Sequence, residues 1–424
     1  MLRAVHLIIV AIYLILPAAA VGAAIAADIR RKKSLFVKRL SVTFFTAALL
    51  GITMCFIYTK AVRGQMSFIQ VLLASYFAAG LLLILKAFDA CLQWALNKTL
   101  RIRPRPRLPN EPPRRYAITA ALLLRLAILF GIGLPYVMVA VLTYRPRVLP
   151  ADDPLTQLRF PFQRVTFQAM DGTRLVGWWI PALDRPRKGL QRAAAGNRTV
   201  IVCHGLGSNK SNQLILAREL VPNGFNALVF DFRAHGESAG QITTFGDKET
   251  SDVLGAVRWV RSTHPKESEK IFGVGASMGA AALITAAADS STEGQAIDAV
   301  AVYGTFDNLQ SLTRSVADTY FTPPVAWLTV HVGMPMACLQ TGSDLTHFSP
   351  ARAIARIWPR PVMVIHGQRD EIIAFDHGVN LFNSATQPKR ALFLDEDHNQ
   401  IINDDRAAQE VLDFFRDAKP LPVI

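Results

Sequence analysis

The chain has 424 residues, room for two or three domains of about 150 residues each, with 51% hydrophobic residues, a mean hydropathy of +0.25 and a formal charge of +14. The charge is one-sided: residues 1–150 hold 20 Lys and Arg against 3 Asp and Glu, whereas residues 151–424 hold 26 against 29. Basic residues confined to the loops of an apolar third are the pattern of membrane topology, so nucleic acid is excluded as the first partner class.

Residues 5–27, 40–58, 66–85 and a run near 122–142 are each about 20 apolar residues long, the length of a bilayer-crossing helix. The last run contains Arg125, which reads as a boundary residue that snorkels to the headgroups. Six basic residues lie at 30–39 and eight at 86–115, so these two loops are predicted to be cytoplasmic, with residues 145–424 outside the cytoplasm, as in a multi-pass protein of a bacterial inner membrane with a periplasmic domain. Ala24-Ile25-Ala26 is also compatible with signal-peptide cleavage, which would leave three spans and invert this topology. The domain organisation predicted is therefore a four-helix transmembrane region at 1–144 and a folded domain at 145–424.

From residue 160 short β-branched runs alternate with helical stretches, the signature of a mostly parallel sheet with helices on both faces. An opening hairpin at 164–170 and 174–183 flanks the Asp171-Gly172 turn. Strands follow at 199–203, 227–231, 270–274, 296–303, 361–366 and 390–394. Helices are predicted at 212–220, 252–262, 278–288, 377–384 and 407–417. Only 305–360 breaks the alternation, and its length marks a lid or binding insertion.

Gly275-Ala276-Ser277-Met278-Gly279 falls between the apolar strand and the Ala-rich helix. A sharp strand-to-helix turn holds its central hydroxyl at the sheet edge, the glycines leave room for close chain passage, and the helix N-terminus favours negative charge there. A serine nucleophile needs a histidine base and a carboxylate to orient it. Asp370 and His398 each follow the C-terminal end of a strand, the edge where open α/β sheets hold their sites. The order Ser277, Asp370, His398 fits this architecture.

With these motifs, residues 160–418 resemble the α/β-hydrolase family, and within it the membrane-anchored α/β-hydrolase-domain and serine-aminopeptidase-like branches. The strings MDGTRLVGWWIP, VCHGLGSNK, DFRAHGESAG, GVGASMGA, VIHGQRD and DEDHN occur in the family's order. The resemblance implies an α/β-hydrolase fold in which Ser277 is the nucleophile, His398 the general base and then acid, and Asp370 its orienter. It also implies an oxyanion hole made by the backbone amides of Leu206 and Met278. Ala234 departs from the branch, which usually has Gly there, and affects a loop turn.

Glu371 is the competitor of Asp370, and Asp395 and Asp397 read as a solvated turn or a contact to His398. His204 and His366 read as turn-shaping and His235 as structural, and Cys203 as a small buried hydrophobe. The four cysteines, Cys55, Cys91, Cys203 and Cys338, form no disulfide framework or C-x-x-C pair, and no metal or nucleotide motif occurs, so no cofactor is implied. The insertion carries Tyr320, Phe321, Pro323, Pro324, Trp327, Leu328, Met334 and Met336, which suit either an acyl chain or packing of the lid on the domain. The expected function is a membrane-anchored serine hydrolase that cleaves a carboxylic ester, thioester or lipid through an acyl-enzyme, with the bilayer and a small acyl ester as partners. The alternatives are a serine peptidase or aminopeptidase on the same fold, and a non-catalytic membrane sensor or binding protein.

Overall fold

The computed structural model describes residues 129–145, 147–183 and 196–420. The three apolar runs at 5–27, 40–58 and 66–85 lie outside the described residues. Of the fourth, a π turn at Leu129–Gly133 and helix α1 at Leu134–Thr143 are described. Among the described residues no helix is long and apolar enough to cross a membrane. All of them fall in the compact unit Arg125–Ile424.

The sheet contains β1 (Gln163–Gln168), β2 (Arg174–Ile180), β3 (Arg198–Cys203), β4 (Asn226–Asp231), β5 (Lys270–Ala276), β6 (Ile297–Tyr303), β7 (Val362–Gly367) and β8 (Lys389–Leu394). Its spatial order is β1-β2-β4-β3-β5-β6-β7-β8. The pairs β1–β2 and β2–β4 are antiparallel and all others parallel, so the expected hairpin and mostly parallel sheet are present. Strand ends differ from the predicted ones by one to three residues, most at β2, which stops at Ile180 and not at 183.

The central strands are apolar on successive residues because both faces are covered. On one face Ile201, Leu228, Ile271, Val300 and Val364 pack against helices α3 (Glu249–Thr263) and α4 (Met278–Ala287). On the other, Val202, Val229, Phe272, Ala301 and Ile365 pack against α2 (Leu214–Leu220) and α10 (Asp405–Asp417). The two lists alternate along each strand, as the period of two requires.

Between β6 and β7 the chain forms a helical cap: α5 (Leu309–Tyr320), α6 (Pro323–Leu328), a π turn at Thr329–Gly333, α7 (Met334–Thr341) and α8 (Pro350–Ile354). A small core of Phe306, Leu309, Met334, Ala337, Leu345 and Phe348 closes it over Ala281 of α4, and Val139 of α1 belongs to the same cluster. Helix α9 (Phe375–Ser384) follows β7. Asp307 ties the start of the cap to α9, since it accepts hydrogen bonds from His377 Nδ1 at 2.7 Å and Asn380 Nδ2 at 2.9 Å.

Candidate active site

Ser277 is where β5 turns into α4, and its backbone has φ 52° and ψ −122°. Positive φ costs a residue with a Cβ about 1–3 kcal/mol, and surrounding contacts hold it there. The Ser277 amide donates to the Tyr303 carbonyl at 2.8 Å, and the Ser277 carbonyl accepts from the Ala281 amide at 3.1 Å. Gly279 is required by close passage: a Cβ there would lie 2.4 Å from the His204 carbonyl oxygen. Ser277 Oγ has no hydrogen-bond partner among the described residues, leaving an open hydroxyl at the end of the strand.

Asp370 follows β7 and is buried. Its Oδ1 accepts from the amides of Ile372 at 2.9 Å and Ile373 at 2.7 Å, and its Oδ2 faces His398 Nδ1 at 2.6 Å. The carboxylate thus fixes the proton of the His398 ring on Nδ1 and leaves Nε2 as an acceptor. Glu371 is exposed, while Asp395 pairs with Arg369 at 2.9 Å and Asp397 caps the turn amides of Asn399 and Gln400. Of the four acidic candidates, only Asp370 bonds the His398 ring.

Ser277 and His398 border consecutive residues of one segment. Tyr303 holds the Ser277 amide, and a Cβ added to the next residue, Gly304, would lie 3.4 Å from Cε1 and Nδ1 of His398. His366 backs the carboxylate: its Nε2 donates to the Ile373 carbonyl at 2.9 Å and lies 3.5 Å from Asp370 Oδ2. Burial pushes the His366 pKa below its ordinary value and keeps the ring neutral.

The loop after β3 passes beside the serine. A Cβ on Gly205 would lie 3.3 Å from Ser277 Cβ, and the amides of Leu206 and Met278 have no acceptor among the described residues. Two free N–H groups next to a serine, one of them at a helix N-terminus, can stabilise a developing oxyanion. Sequence reasoning missed how this loop is held. The Gly207 amide donates to His235 Nε2 at 3.1 Å, while His235 Nδ1 donates to the Arg233 carbonyl at 2.8 Å. The Lys210 amide donates to Asp231 Oδ1 at 2.8 Å, and the buried Lys210 ammonium pairs with Asp231 and with Glu237. An acidic residue closing the apolar strand NALVFD was the available signal.

His204 bridges the loop to β4: its Nε2 accepts from the Phe232 amide at 3.0 Å and its Nδ1 donates to the Gly205 carbonyl at 2.8 Å. Burial, reinforced by nearby His235, pushes the His204 pKa down to about 3. Cys203 is fully buried and burial raises its thiol pKa, so it is no thiolate nucleophile. Ala234, where the branch usually has Gly, adopts φ 62°, so the loop keeps the left-handed turn at a cost in backbone strain. Among the described residues no cluster of three or more His, Cys, Asp or Glu is arranged to hold a metal.

Comparison with known proteins points to the same fold family. A family model described as serine aminopeptidase, S33 matches residues 195–329. YfhR of Salmonella typhi, itself uncharacterized, is 30% identical over 245 residues, which is 56% of this chain and 74% of that protein. YfhR of Escherichia coli K12 is 27% identical over 260 residues, covering 60% and 81%. Among solved structures, the Pyrococcus furiosus esterase Pf2001 superposes with a TM-score of 0.50 at 25% identity, over 64% of this chain and 97% of the esterase.

Proposed function

Because the chain belongs to the α/β-hydrolase family, we propose that it is a membrane-anchored serine hydrolase that cleaves carboxylic esters, lipid or thioester substrates included, through an acyl-enzyme. The observation that carries this reading is the 2.6 Å contact of Asp370 with His398 at the sheet edge that also bears the strained Ser277 turn. His398 Nε2 takes the Ser277 proton as Oγ attacks the carbonyl carbon, and the amides of Leu206 and Met278 receive the oxyanion. The imidazolium, steadied by Asp370, returns the proton to the leaving oxygen. Water then attacks the acyl-enzyme by the same route in reverse.

Ester is preferred to peptide because the cap is apolar and the neighbouring Pf2001 is an esterase. A serine peptidase is the second reading, favoured by the match to the aminopeptidase family model. The four apolar runs anchor the chain in a bacterial inner membrane, with the hydrolase domain on the periplasmic side.

A fluorophosphonate probe should label the wild-type protein and not Ser277→Ala. A panel of acyl esters and aminoacyl amides should then show turnover of esters. Labelling that persists in Ser277→Ala, or esterase activity that survives it, rules out Ser277 as the nucleophile.

A further inference from the structure

The cap carries apolar side chains outward as well as inward. Met334 and Ala337 are buried in its core, but Tyr320 is 67% exposed, Trp327 58% and Leu339 85%. On α1, Tyr136, Val137 and Val141 are likewise half or more exposed. The two surfaces belong to one helical layer: α1 packs against α7 and the π turn before it, and the Gln340 side chain donates to the Tyr136 carbonyl at 3.3 Å. Neither 126–144 nor 320–342 contains a single Asp, Glu, Lys or Arg, in a chain where such residues make up 18%. A water-facing surface that carries no carboxylate, ammonium or guanidinium over two packed segments, and that exposes mainly apolar side chains with His331 stacked on Trp327, calls for an apolar partner.

The chain itself indicates which partner. Helix α1 is the last part of the apolar run at 122–142, whose length matches a bilayer. The first charges after that run are Arg145 and Arg147, both exposed, as at a headgroup boundary. Tyr136, Tyr320 and Trp327 are the residue types that favour the membrane interface, with an apolar ring and a polar tip. A helix that enters the bilayer carries to the same depth whatever is packed on it, and here that is the cap.

We propose that the outer face of α1 and of cap residues 320–342 is immersed in the interfacial region of a lipid bilayer, and that the substrate reaches Ser277 from that bilayer as an amphiphilic long-chain ester. The substrate half rests on the serine-hydrolase reading, whereas the immersion half stands without it. The cap then works as an interfacial surface in the manner of a monotopic helix.

The test uses the full chain in nanodiscs of phosphatidylcholine whose acyl chains do or do not carry bromine. Bromine quenches only fluorophores at its depth, so wild type should lose a component of its emission that Trp327→Phe lacks. Equal fractional quenching of the two proteins means that solvent or another part of the chain covers this face, and overturns the proposal. In a second arm, the double variant Trp327→Asp and Leu339→Asp should hydrolyse a long-chain ester dissolved in phosphatidylcholine vesicles at least about tenfold more slowly, with p-nitrophenyl acetate turnover unchanged. Equal loss on both esters, or no loss on either, overturns delivery from the bilayer. If wild type hydrolyses neither ester, the serine-hydrolase reading falls, and the fluorescence arm alone decides immersion.

Discussion

Asp370→Asn tests the site with the least disturbance of the fold. The two carboxylate oxygens have separate roles, Oδ1 taking the amides of Ile372 and Ile373 and Oδ2 facing His398. The amide of the variant has the same shape and keeps its oxygen on the two backbone donors, so its NH2 group is turned toward His398 Nδ1. A donor there makes Nδ1 an acceptor, moves the ring proton to Nε2 and leaves nothing to accept the proton of Ser277. Loss of tautomer control of this kind costs about 10,000-fold in kcat in another Ser-His-Asp enzyme, or about 5 kcal/mol in the barrier. The charge-assisted hydrogen bond given up is itself worth only about 1.5–3 kcal/mol, so most of the effect comes from the misplaced proton. The assay is kcat on a soluble p-nitrophenyl ester, with the urea midpoint measured in parallel. Expected are a fall of roughly 1,000- to 10,000-fold and a stability loss no larger than about 3 kcal/mol, because both amide bonds persist and only the bond to His398 loses its charge. Glu371→Gln, at an exposed position, should leave both unchanged. A kcat for Asp370→Asn within a factor of ten of wild type, or an equal loss in Glu371→Gln, would refute the reasoning.

Two other predictions concern the loops beneath the site. Ala234 holds φ 62°, so Ala234→Gly should raise the unfolding free energy by about 1 kcal/mol, read from the urea midpoint, with ester turnover unchanged; a lower midpoint would mean that the methyl group packs more favourably than the strain costs. His204 is buried with its pKa pushed down to about 3 from 6.5, so the folded state holds it neutral while the unfolded chain binds a proton below 6.5. Stability is then complete above pH 6.5 and lost as pH falls toward 3, by about 2 kcal/mol between pH 6.5 and 5 for this one group. His235 and His366, both lowered by burial, act in the same direction. Denaturant titrations at several pH values should show the decline, and His204→Gln should show a shallower one; an identical slope in the variant would assign the acid sensitivity elsewhere.

How much of the protein was legible in its sequence follows from the range of the interactions involved. The alternation of strand and helix, the G-x-S-x-G string between the two, and the placing of Asp370 and His398 after strand ends are local patterns set by backbone sterics and by the period of burial. They could therefore be read residue by residue, and the fold class with them. The insertion at 305–360 was visible only as a break in that rhythm. Which of its apolar residues turn inward, as Met334 does, and which turn out, as Trp327 does, depends on α1, a segment far away along the chain. How Asp370 is held, by the amides of Ile372 and Ile373, and the pairing of Asp395 with Arg369 needed the fold. The support of the oxyanion loop by His235, Asp231 and Lys210 needed two loops brought together from different strands. Composition and periodicity record what each residue prefers to be near, water or apolar surface; only the folded chain determines which partner satisfies that preference, because a hydrogen bond depends on position and direction in space and not on distance along the polymer.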